Sequence, residues 1–164
     1  MLKPMAMASQ RERTHAATDS LLLPECVYRP GSFSGLMLLY ESNFLKLNVL
    51  IEDLNAGSSL LISRVRGDND LHLEGIQREP YTTTLCMTYW LRAHDGRQFK
   101  DPDMQIRIYH DAAQAEAVGC QDAHRHRLLQ EIRSSDAELT RRWQINMMLN
   151  KWLDYLIDSG HGFA

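Results

Sequence analysis

From Ser34 onward, apolar residues recur at Leu36, Tyr40, Phe44, Leu47, Ile51 and Leu54, at spacings of four, four, three, four and three. That period places them on one helical face. Gly57 is positioned to end the helix, because glycine tolerates left-handed backbone. Glu41 and Asn43 fall toward the edges of the apolar stripe, in its first turns. Beyond Ser58 the period drops to two. Leu61, Ser63 and Val65 alternate with Leu60, Ile62 and Arg64, and after Gly67-Asp68-Asn69 the run Leu71, Leu73 alternates with His72, Glu74. The pattern predicts a hairpin.

A third strand is expected after Pro80. Tyr81, Thr83, Leu85, Met87, Tyr89 and Leu91 form one face, and Thr82, Thr84, Cys86, Thr88 and Trp90 the other; β-branched and aromatic residues favour a pleated surface. Arg92 to Asp103 reads as a loop, through His94-Asp95-Gly96, Lys100 and Pro102. A fourth strand alternates Met104, Ile106 and Ile108 with Gln105, Arg107 and Tyr109, and a fifth returns through Ala113 to Val118. A second helix follows. Ser135 and Glu138 have capping-box spacing; Ile145, Leu149, Trp152 and Leu156 recur helically, and Gly160 marks the end.

Together these elements predict an α+β fold: a five-stranded antiparallel meander with an N-terminal and a C-terminal helix packed on one face. At 164 residues the chain is expected to form one domain over residues 28–160, after a disordered or extended leader (1–27) and before a short tail (161–164). A globule of that size buries roughly 70% of its unfolded surface, so the core needs no metal or disulfide.

The net charge of -3 argues against a protein that holds nucleic acid chiefly by neutralising phosphates. The basic run His124 to Arg133 is the one segment that suits RNA, and Arg125 and Arg127 would carry it. Cys26, Cys86 and Cys120 have no paired spacing and fit free thiols in a reducing compartment. No stretch approaches the ~18–20 apolar residues of a membrane span, and no signal-peptide pattern is present. The expected location is the cytoplasm. Cys120, Asp122, His124 and His126 supply zinc-type ligands, but their spacing matches no standard zinc pattern, so neither metal nor cofactor is expected.

Chemistry concentrates in Met104 to Val118. If Asp111 and Ala112 close a two-residue turn, Arg107 lies across from Glu116, Ile108 from Ala115 and Ile106 from Ala117. Arg107, Tyr109 and Glu116 then share the face opposite the isoleucines. Arg107 suits an anion clamp, Tyr109 a donor and stacking surface, and His110 or Asp111 a proton carrier. No phosphate loop, GxGxxG, GxSxG or HExxH is present to specify a reaction. Gln144 and Asn146, beside Trp143, suit helix amides bonded to neighbouring backbone.

Several ordered blocks resemble the YqiB-like bacterial proteins, a family of unknown function, over roughly Tyr28 to Gly160. They are Phe33 to Met37, Tyr40-Glu41-Ser42-Asn43-Phe44, Tyr81-Thr82-Thr83, Arg107-x-Tyr109-His110-Asp111-Ala112 with Ala115-Glu116, and Gln144-x-Asn146 before Trp152-Leu153. The resemblance implies a small cytoplasmic bacterial protein and carries no activity or cofactor. Two positions depart from the family pattern: Tyr40 stands in place of a cysteine, and Thr140-Arg141-Arg142 in place of Asp-Glu-Lys.

The functional expectation is a non-enzymatic binding or adaptor protein that recognises a partner protein or small anionic ligand. Its candidate residues are Arg107, Tyr109, His110, Asp111, Glu116, Glu41, Asn43, Tyr81, Gln144 and Asn146. The alternative is an enzyme with His110 or Asp111 as acid/base and Arg107 as anion clamp. Geometry separates the two: an enzyme needs His110, Asp111 and Glu41 or Asn43 to converge in a pocket, whereas a binding module leaves them along an open face.

Overall fold

The computed structural model describes residues 31–52, 60–120 and 135–163. The expected leader, the segment around Leu54 and Gly57, the basic run 124–133 and three of the four zinc-type ligands, Asp122, His124 and His126, lie outside them.

Helix α1 spans Phe33–Leu50 and starts with the Ser32 hydroxyl accepting the Gly35 N–H at 3.1 Å, which satisfies one of the first-turn donors. It ends earlier than its apolar repeat suggests. Ile51 is already extended (φ -123, ψ 102) and forms a parallel bridge with Phe163. The strands are β1 (Leu60–Ser63), β2 (Leu71–Arg78), β3 (Thr82–Arg92), β4 (Gln98–Tyr109) and β5 (Gln114–Cys120), and the chain closes with helix α2 (Ser135–Asp158).

All strand pairs are antiparallel and neighbours in sequence are neighbours in the sheet, β1 to β5. This is the predicted meander. Strand β4, however, begins at Gln98, so Lys100 and Pro102 belong to a strand rather than to the expected loop. Pairing of Trp90 with Lys100 and Leu91 with Phe99 overrides the local loop composition. Only residues 93–97 connect β3 to β4.

Register shifts interrupt three ladders, at Glu74/Gln77, Thr88/Trp90 and Gln105/Ile106. Bulges of this kind add local twist. The inner face presents Leu73, Leu85, Met87, Met104, Ile106 and Ile108, packed against Leu47 and Leu50 of α1 and Leu149, Leu153 and Leu156 of α2. Each such leucine, fully buried, contributes roughly 1.5–3 kcal/mol. Leu36, Leu39, Tyr40 and Trp143 form a second cluster between the earlier turns of the helices, separate from the sheet core.

Helix α2 ends where expected. Gly160 has φ 87, its N–H donates to the Ile157 carbonyl, and the His161 N–H donates to that of Leu156. That is the Schellman arrangement, which satisfies the last carbonyls and reverses the chain. Residues 161–163 then run back onto the core rather than away from it. Phe163 is 5% exposed, its N–H donates to the Leu50 carbonyl at 2.8 Å, and Glu52 N–H donates to its carbonyl at 2.9 Å.

Candidate functional site: the two sides of strand β5

The β4–β5 register is the predicted one, with Arg107 opposite Glu116, Ile108 opposite Ala115 and Ile106 opposite Ala117. The connection is longer than two residues. His110 to Ala113 lie outside both strands, and Ala113 takes a left-handed φ of 51. The register survives because the extra residues add symmetrically about Asp111-Ala112. Ala115 and Ala117 face the core, which places Glu116, Arg107 and Tyr109 on the outer face.

Glu116 is the centre of that face. It is 7% exposed, accepts the Tyr109 hydroxyl on Oε1 at 2.8 Å and Arg142 Nη1 on Oε2 at 3.2 Å. Strand β5 is an edge strand, so a side chain of α2 can reach round it. Arg142 also donates through Nε to Glu138 Oε1 at 2.8 Å, and Arg141 grips the same carboxylate with Nε on Oε2 (3.0 Å) and Nη2 on Oε1 (2.9 Å). Hydrogen bonds from Arg141 first, then Arg142, hold the Glu138 carboxyl down to about 2. Burial, then the Glu116 hydrogen bond, pushes the Tyr109 phenol up.

Arg107 is exposed and, among the described residues, enters no ion pair; its guanidinium lies against the Tyr109 hydroxyl. The cross-strand pairing expected for it is taken up instead by Tyr109 and Arg142. Tyr40, from α1, completes the neighbourhood. Among the described residues its buried hydroxyl makes no well-aligned hydrogen bond, although Arg142 and Glu116 both lie near enough to act on it as loose hydrogen-bond neighbours. Burial is the main cause that pushes this phenol up to about 12. An orphaned buried hydroxyl costs free energy, and a hydroxyl beside two charged groups is one that a small rearrangement would engage.

The other side of β5 has a different chemistry. Its backbone edge is covered by amides: Asn146 Oδ1 accepts Ala117 N–H at 2.8 Å and Asn43 Nδ2 at 3.2 Å, and Asn43 Nδ2 also donates to the Ala115 carbonyl at 3.4 Å. Asn150 donates to Asn43 Oδ1 and to the Ser42 hydroxyl, both at 2.9 Å, and accepts Lys46 Nζ on its Oδ1 at 2.8 Å. Lys46 also pairs with Asp154. The network ties both helices to the open edge of the sheet, which is otherwise a template for adventitious pairing.

The candidate residues therefore separate. Arg107, Tyr109 and Glu116 come together. His110 is exposed at the turn, bonded to Thr83 Oγ1 at 2.8 Å with its N–H on the Tyr81 carbonyl at 2.9 Å, so it fastens the end of β3 to the hairpin. Asp111, Glu41 and Gln144 are exposed, and Tyr81 is 68% exposed. Asn43 and Asn146 are fully buried in the amide network. His110, Asp111, Glu41 and Asn43 do not converge.

Sequence reasoning missed Tyr40, Glu138, Arg141 and Arg142 as site members. Glu138 with arginines three and four residues on was a visible ion-pair signal, and Tyr40 and the triplet Thr140-Arg141-Arg142 were the two departures from the family pattern. It also missed a buried array at the far end of the molecule. His161 Nδ1 meets Ser63 Oγ at 3.1 Å and its Nε2 meets Asp68 Oδ2 at 3.1 Å, while Tyr89 donates to the same carboxylate oxygen at 3.2 Å. The order resembles a serine–histidine–aspartate relay. Ser63 is 6% exposed, and its Oγ is already occupied by the Gly162 N–H at 3.1 Å. The array locks the C-terminal segment down.

Among the described residues, no His, Cys, Asp or Glu side chains are grouped so as to hold a metal ion, and no helix is long and apolar enough to cross a membrane. What the outer side of β5 can do chemically is accept an oxyanion, by offering guanidinium and phenol donors.

No curated protein and no solved structure matches the chain. The family model described as a protein of unknown function (DUF1249) matches residues 46–162, from the second half of α1 to the closing segment beyond α2. Spanning more than two thirds of the chain, that match establishes that the protein belongs to the DUF1249 family.

Proposed function

We propose that the protein is a non-enzymatic binding module that recognises a partner protein or small anionic ligand on the outer face of the β4–β5 hairpin. One observation carries this reading: Arg107 is exposed without an ionic partner among the described residues, while the carboxylate opposite it is occupied by Tyr109 and Arg142. A guanidinium left this way, with only the Tyr109 hydroxyl beside it, keeps donors for an anionic group.

The scatter of the residues an acid/base mechanism would need also favours binding over catalysis. His110 is engaged with Thr83 and Asn43 is sequestered in the amide network. The likeness to YqiB-like bacterial proteins and the unpaired Cys86 support a bacterial, cytoplasmic setting. The test is mass spectrometry of species that copurify with the native chain, compared with an Arg107→Ala, Asp111→Ala variant of unchanged fold. Loss of one defined species is expected. An identical profile would overturn the proposal.

A further inference from the structure

We infer that the carboxylate of Glu138 is an internal stand-in for the ligand, so that the site binds a carboxylate-bearing segment of a partner protein by displacing it from Arg141 and Arg142. The inference rests on the binding role proposed above and names its ligand class and its built-in competitor.

Three N–H donors from two guanidinium groups converge on the two oxygens of one carboxylate, at 2.8 to 3.0 Å. The arginines are thus already spaced to the bite of a carboxylate. Yet the group they hold is weakly committed. Glu138 has a side chain 48% exposed, and its pairs are local ones along the helix, at three and four residues, a class that contributes little to folding. A ligand carboxylate could replace it at small cost, and Arg107, beside Tyr109 and opposite Glu116, offers a further guanidinium to a neighbouring carboxylate of the same segment. Arg107, Arg141 and Arg142 set against Glu116 and Glu138 leave the cluster net positive, against the negative charge of the whole chain.

A second, independent observation points to the same exchange. Arg142 is shared between Glu138 and Glu116, and the Tyr40 hydroxyl beside both is buried and makes no well-aligned hydrogen bond among the described residues. If Arg142 follows an incoming carboxylate, Glu116 loses a donor in a buried setting, which is costly unless replaced. Tyr40 is placed to replace it. The orphan hydroxyl has a partner in the ligand-bound arrangement.

The experiment is fluorescence anisotropy of labelled hexaglutamate with the full-length native chain and variants. Glu138→Gln should bind about fivefold more tightly than the native protein, because displacing two surface pairs costs roughly 1 kcal/mol in sum. Glu138→Gln combined with Arg141→Gln should return to the native affinity or below. Arg141 pairs with Glu138 alone among the described residues, so the variant retains the fold. Tyr40→Phe should weaken the peptide about threefold. If Glu138→Gln leaves affinity unchanged or lower while Arg107→Ala still abolishes binding, Glu138 is no competitor; the inference fails and the binding role stands. If neither the native protein nor Glu138→Gln binds the peptide saturably, the carboxylate class is wrong. Native affinity in both Arg107→Ala and Arg141→Gln would overturn inference and binding role together.

Discussion

Strand β5 separates two polar regions that differ in what their groups still lack. On its backbone edge the amides of Asn43, Asn146 and Asn150 are buried and satisfied by one another, by Ser42, Lys46 and the strand itself. On its outer face the arginines are at least partly exposed and incompletely matched: Arg107 has no ionic partner among the described residues, and Arg142 divides itself between two carboxylates beside the buried Tyr40 hydroxyl, which makes no well-aligned hydrogen bond among them. A closed network fixes a structure, since any rearrangement would orphan a buried donor. An open charged one can exchange partners at its exposed groups at small cost.

The closed side should yield the largest effects. Asn146→Ala removes the acceptor of the Ala117 N–H and the bonds to Asn43 and the Arg142 carbonyl, and urea unfolding should show a loss of about 2–4 kcal/mol. A loss below 0.5 kcal/mol, an order-of-magnitude floor for a surface site, would mean the network is not closed. His161→Ala should follow, at about 1–3 kcal/mol, because Asp68 and Ser63 lose their shared partner. Hydrogen exchange at the Phe163 amide should accelerate selectively; unchanged protection would show that Phe163 alone holds the closing segment.

On the open side the sign reverses. Tyr40→Phe deletes an unpartnered buried hydroxyl, so stability should stay level or rise by up to about 1 kcal/mol. A clear loss would show that the hydroxyl is bonded structurally. The smallest effect is electrostatic. The Glu138 carboxyl lies near 2 against an ordinary 4.5, through Arg141 and then Arg142. A depressed carboxyl contributes stability that is present above its unfolded value and lost as pH falls from about 4.5 toward 2. Because Glu138 is exposed, that contribution should be well below 1 kcal/mol. Carbon-detected NMR titration of its side chain reads the midpoint directly, and an ordinary midpoint would remove the two-arginine grip.

Local periodicity made the strands, the β4–β5 register and the end of α2 legible. Gly160 needed only its own backbone freedom, and the alternation from Met104 to Tyr109 only its neighbours. The start of β4 was hidden, because Asp101 and Pro102 read as loop residues until Trp90 and Lys100 pair. Asn43 looked peripheral to an apolar stripe, yet it and Lys46 are buried because α2 brings Asn146 and Asn150 to meet them from about a hundred residues away. The same limit applied to the site. Arg107, Tyr109 and Glu116 lie on adjacent strands and could be paired from sequence. Arg142 and Tyr40 reach them only through the packing of two helices, and His161 reaches Ser63 and Asp68 only because the chain doubles back after Gly160.

The most direct test of the division is a nitrogen–proton NMR titration of the native protein with hexaglutamate, following backbone and side-chain amides together. The account predicts shifts at Arg107, Tyr109, Glu116, Arg141 and Arg142, with the side-chain amides of Asn43, Asn146 and Asn150 unmoved. Shifts centred on those three asparagines, or confined to residues away from β5, would contradict it.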